Sequence, residues 1–295
     1  MKRILFLFFL LISGNLLKAQ NTAEVDSLQQ FQDSLKVLQF QFFQGHDDAK
    51  KLAANENFNR ILGEALKVNH SFDFEFDSLT TISRLKSSDK QFRLLNWNVP
   101  MNDGTQKYFG YIQSYNKRAK KYVIYPLEDK TSEIRDVHIA SCAPDKWFGM
   151  LYYKIVPEKY KHKTYYTLLA WQGYSNIITK KIIDVVTFNK KGKPTFGSAI
   201  FKIENRYPKR MIFIYSANAT MSLKYDEKSG MILFDYLAPY QEGMEGQYQF
   251  YAPSFRVDGI KFKKGIWYYV KEIDAKNPKT RNDKLFVDPK RGGGG

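Results

Sequence analysis

The chain has 295 residues, 46 Lys+Arg against 30 Asp+Glu and a formal net charge of +16; 43% of its residues are apolar and 16% aromatic. That composition excludes a disordered chain and, with one short apolar run, a polytopic membrane protein. The only cysteine, Cys142, has no intramolecular partner, so a small disulfide-stapled scaffold is excluded as well.

At the start of the chain, Lys2 and Arg3 precede the apolar run Ile4 to Ile12, which Ser13, Gly14 and Asn15 break before the small residue Ala19. A basic start, a short apolar stretch and a small residue predict a secretory signal peptide over 1–19. The run is too short to anchor the chain, so no transmembrane span is expected in the mature protein. The expected location is the exported side of the cell: periplasmic, associated with the outer membrane, or secreted.

Residues 20–70 read as a helical hairpin. Val25, Leu28, Phe31, Leu35, Leu38 and Phe42 recur at spacings of three and four and form one stripe, with the glutamines largely elsewhere. Gly45 stops this helix, Asp47 caps the next, and Leu52, Ile61, Leu62, Ala65 and Leu66 form its apolar face.

The period changes to two at Ser71, where Phe72, Phe74 and Phe76 alternate with acids. From 71 to 276 the chain reads as short strands rich in β-branched and aromatic residues. Turns such as Asn102-Asp103-Gly104, Asn189 to Gly192, Asp226 to Gly230 and Lys263-Lys264-Gly265 separate them. Connections that short force antiparallel neighbours, because a parallel crossover needs a dozen or more residues. The expected class is therefore mainly β: an antiparallel meander, sandwich-like with a propeller-like array as the alternative, preceded by the helical hairpin. Residues 277–295 form a basic tail ending in four glycines.

The stretch Ile82-Ser83 through Leu85, Ser87 and Asp89 to Phe92-Arg93-Leu94-Leu95-Asn96-Trp97, with Asp103-Gly104 and Ile112-Gln113, resembles uncharacterised exported β-rich proteins of the Bacteroidetes. So does Tyr165 to Gly173 leading to Lys180 to Val185. The resemblance covers roughly residues 72–275 and implies export and a β-rich fold, with no activity attached. Asp26-Ser27-Leu28, Asp33-Ser34-Leu35 and Asp77-Ser78-Leu79 also resemble the O-glycosylation pattern of exported proteins of that group.

Signatures for nucleotide hydrolysis, zinc proteolysis and serine hydrolysis are absent. The four histidines are isolated from one another, so no metal site and no cofactor is expected. His138 and Cys142 stand four apart, a spacing for base and nucleophile, although a lone Cys in an Ala-rich loop is more often a small buried apolar residue. Glu242 and Glu245, in the Gly-flanked loop 240–246, are the least arbitrary carboxylate pair for a hydrolase acting on envelope glycan. For ligand binding, Trp147 and Trp171 sit beside turns, whereas Trp97 and Trp267 sit mid-strand and are expected in the core.

Lysines and arginines recur at the hairpin turns, Lys120 and Lys121 among them. Should those turns converge on one face, their summed field attracts an anionic envelope glycan. Another envelope protein is the other expected partner, and nucleic acid is not expected. The expected role is a non-enzymatic binding or assembly component of the cell envelope, with the glycan hydrolase as the alternative.

Overall fold

The computed structural model describes the backbone of residues 2–273 and side chains from residue 22 onward. The side chains of the expected export signal (1–19) and the whole of the expected tail (277–295) lie outside the described residues.

Helix α1 (Lys2–Gln44) is followed by α2 (Asp48–Lys67), and the turn between them is built as the residues require. Asp47 caps α2 by accepting from the Lys50 N–H at 2.8 Å. The buried face of α1 is turned slightly from the expected stripe: Leu28, Leu35 and Phe42 are buried, Val25 is exposed, and Gln32 and Gln39 lie inside. Gln39 is buried because it serves backbone, donating to Ser78 O at 2.8 Å and accepting from the Thr81 N–H at 3.2 Å. The Phe72, Phe74 and Phe76 alternation is no strand; the segment is irregular and Phe76 takes a positive φ. Arg93, itself buried, holds this segment down by donating to Phe74 O at 2.6 Å and lying 5.2 Å from the Phe76 ring centre.

Among the described residues, fourteen strands follow in three sheets. β1 (Ser83–Lys86), β2 (Phe92–Pro100), β3 (Gln106–Asn116) and β4 (Lys121–Glu128) form the first, in chain order. β5 (Leu151–Tyr160), β6 (Lys163–Gly173), β7 (Ile178–Phe188) and β8 (Pro194–Phe196) begin the second; β9 (Phe201–Lys202) crosses to the third, and β10 (Met211–Ser216) returns to pair with β7. β11 (Leu223–Asp226), β12 (Met231–Pro239), β13 (Tyr251–Lys263) and β14 (Ile266–Val270) complete the third. Among the described residues, every pairing between these strands is antiparallel except the two-residue contact of β9 with β14. Residues 246–250 form a turn, and β13 starts at Tyr251.

None of the sheets closes on itself. They stack face to face with the helices as an outer layer, because period-two alternation gives each inner strand two apolar faces. Leu95, Trp97 and Val99 pack on the helices, while Phe92 and Leu94 from the same strand pack on the second sheet. In β6, Leu168 and Ala170 face the first sheet and Leu169 faces the third.

Candidate functional site

In a meander, successive turns alternate between the two ends of the sheet, so every second hairpin shares an end. Six turn regions fall together here: 87–91, 117–121, 159–163, 189–193, 226–230 and 261–265. Tyr122 donates to Lys90 O at 3.0 Å and Ser114 to Gly192 O, which joins the turns 87–91, 117–121 and 189–193. Gly265 is seated against Tyr160: a Cβ on it would stand 2.9 Å from that ring, and its φ of +87° is the conformation the turn needs. Met231 pairs with Lys261, which places the β11–β12 turn at the same end.

These six regions carry fifteen Lys and Arg against three acids. All fifteen are exposed, including Lys120 and Lys121. Among the described residues only Lys90 lies within 4 Å of a carboxylate, Asp73 at 3.6 Å. Lys161 and Lys163 instead lie 5.4 and 4.6 Å from the ring centres of Tyr160 and Tyr165. The turns at the opposite end, 101–105, 173–177, 217–222 and 240–250, contain no Lys or Arg and three acids, Asp103, Glu242 and Glu245. Lys51, Lys107, Lys130 and Lys181 lie near that second end, but outside these turns; the basic cluster of turns is built by topology from residues far apart in the chain.

The other candidates have separate fates. Trp147 is fully buried, donating to the Tyr152 hydroxyl at 3.1 Å, and offers a ligand no surface. Trp97 and Trp267 are core residues. Trp171 is half-buried and lines a hollow at the end opposite the cations. Glu242 and Glu245 are exposed on the loop between β12 and β13. Cys142 is buried while His138 is exposed; burial pushes the thiol pKa up, although Arg210 opposes this, so little thiolate forms at neutral pH. Ser34 of the second Asp-Ser-Leu triplet is exposed on α1 with its hydroxyl on Gln30 O. Among the described residues no three His, Cys, Asp or Glu side chains come together to hold a metal ion, and no helix is long and apolar enough to cross a membrane.

A third feature lies between the second and third sheets: a cavity of about 710 Å³ lined by Ile139, Ile203, Tyr207, Phe213 and Tyr269. Beside it, the buried Asp258 carboxylate accepts from Arg256 at 2.7 and 2.6 Å, from the Tyr269 hydroxyl and from the Glu272 N–H at 2.9 Å. Burial pushes that carboxyl up, but the four donors outweigh burial and hold it below its usual range. A depressed folded-state pKa contributes stability that is present above the unfolded value and is lost as pH falls through the folded one. Asp258→Asn is therefore expected to melt below wild type at neutral pH, with the gap closing as pH falls through and below the ordinary carboxylate range of about pH 4. A gap that stays constant over that range in thermal melts refutes the assignment.

No known family, curated protein or solved structure matches this chain.

Proposed function

We propose that the protein is an exported, non-enzymatic component of the cell envelope that binds an anionic envelope glycan through its basic end. The observation that carries this reading is the gathering of fifteen exposed cations on six turns, with no Lys or Arg on the turns of the opposite end. Like charges held without counter-charges repel one another and cost stability, a cost that a polyanion removes on binding. Isolated surface lysines for solubility need no such segregation. A repeating chain of carboxylates or sulfates suits the site because contacts can spread over several turns without one deep pocket.

The test is titration with alginate, dextran sulfate and neutral dextran. Binding to the two anionic polymers is expected, with none to dextran. If about four cations engage, affinity falls roughly 50-fold between 50 and 200 mM salt, by counter-ion release of about 0.7 per contact. Charge reversal of Lys117, Lys120, Lys121 and Lys191, all exposed, is expected to abolish most of that binding and leave the melting temperature unchanged or higher. Salt-independent binding, equal binding of dextran, or a clear preference for duplex DNA over both anionic polymers overturns the reading.

A further inference from the structure

β10 is an edge of the second sheet, paired on one side only. Met211, Phe213 and Tyr215 stand opposite Ile183, Lys181 and Thr179 of β7, and in the same register the Ala217 N–H donates to Ile177 O at 2.9 Å. In an antiparallel pair the main-chain bonds fall on every second residue, so the N–H and C=O groups of Ile212 and Ile214 turn to the other side. Among the described residues nothing pairs with them there. Sheet edges are ordinarily blunted by Lys, Pro or a bulge, and β4 and β5 follow that rule with Pro126 and Pro157. Met211–Ser216 contains none of these devices.

The same strand walls the cavity between the second and third sheets: Met211, Ile212 and Phe213 line it together with Ile203 and Tyr269. At its rim Ile139 is 60% and Tyr207 48% exposed. An unpaired strand edge beside an apolar hollow is the arrangement that receives an extended segment, main chain on the edge and a side chain in the hollow. The described residues end next to it. The Glu272 N–H donates to Asp258 at 2.9 Å, the Tyr269 hydroxyl donates to the same carboxylate, and Tyr269 is on the cavity wall. Leu285 follows Ile273 by 12 residues, a reach of up to roughly 40 Å. Leu285-Phe286-Val287 is the only run of three apolar residues after Ile273, and Phe and Val are strong strand formers.

We propose that Leu285-Phe286-Val287 of this chain adds to β10 as an antiparallel edge strand, with the Phe286 ring in the cavity. Directly opposed residues share a face, so Phe286 set against Phe213 turns its ring towards the third sheet. That register leaves Leu285 to exchange main-chain hydrogen bonds with Ile214, and Val287 with Ile212. Pro289 has no N–H to continue the ladder and ends it. The added strand closes an edge that would otherwise template pairing with another chain, and it covers the apolar rim. No residue of this site belongs to the six basic turns, so it and the glycan reading stand or fall separately.

Amide exchange of the full chain, read residue by residue, tests the pairing. The Ile212 N–H is expected to exchange at least about a hundredfold more slowly than a free amide, as a ladder hydrogen bond requires. Phe286→Asp, which empties the cavity, and Val287→Pro, which removes the donor facing Ile212, are each expected to abolish that protection while β6 and β7 stay slow. Fast exchange at Ile212 in the unaltered chain overturns the proposal, as does protection that survives Phe286→Asp. Protection lost in Phe286→Asp but kept in Val287→Pro means that the ring plugs the cavity without a strand, and protection that grows with protein concentration means that a second copy occupies the edge; either result also overturns it.

Discussion

Asp184→Asn is expected to lower stability by about 3–5 kcal/mol, the cost of leaving a buried cation without its counter-charge. Asp184 and Arg210 are both fully buried, with Oδ1 of the carboxylate 3.3 Å from the guanidinium Nε. The other carboxylate oxygen accepts from the Tyr152 hydroxyl at 3.3 Å, and the Val185 N–H donates to Oδ1 at 2.8 Å. Burial would depress the Arg210 pKa, but Asp184 more than offsets it, so the cation persists. Its remaining donors reach Val137 O and Ala140 O, which tie the long connection between the first and second sheets onto β10. Gly197 closes against the same group: a Cβ there would stand 2.8 Å from Nη2. The pair Asp184→Leu with Arg210→Met is expected to recover part of the loss, because replacing both charges removes the orphaned ion, yet not all of it, because two carbonyls lose their donor. Urea denaturation measures all three chains. A loss below about 1 kcal/mol for Asp184→Asn means the ion pair does not hold the connection.

That pair shows where residues alone stop being informative. Ile182, Ile183, Val185 and Val186 are apolar on both faces of β7, the pattern of a strand covered on two sides, and a lone Asp184 inside it demands a partner. Nothing local says that the partner is Arg210, 26 residues on and behind a different turn. The same division runs through the fold. Gly104, Gly192, Gly230 and Gly265 all take the positive φ expected of them, so the hairpins were readable. Hairpins fix neighbours within a meander, but they do not say where one sheet ends and the next begins. Hence the stretch from Pro194 to Ile203, with no marked turn inside it, is divided between two sheets. Each basic turn was likewise visible singly. Alternation of turns predicts which of them share an end within one sheet, whereas their alignment across three sheets comes from packing.

The four-layer stack makes a second strong prediction, for Trp97→Ala. Trp97 is fully buried between the helices and the first sheet. Its Nε1 donates to Asn55 Oδ1 of α2 at 2.7 Å, its ring centre lies 5.0 Å from Phe58, and Phe58 lies 5.1 Å from Phe42 of α1. One indole thus joins both helices to β2, and truncating it is expected to cost about 3–5 kcal/mol through lost burial and a residual cavity. The cluster it belongs to shares no residue with the two clusters between the sheets. Loss of the indole should therefore release the helical layer ahead of the rest, since cooperative units follow contiguous packing. Amide exchange is expected to accelerate in α1 and α2 while β6, β7 and β13 stay protected. Trp267→Ala is the matching case at the other side: its Nε1 donates to Thr167 at 2.9 Å, and its loss should expose the third sheet and spare the helices. Uniform loss of protection in either variant would mean that the layers unfold as one unit despite their separate cores.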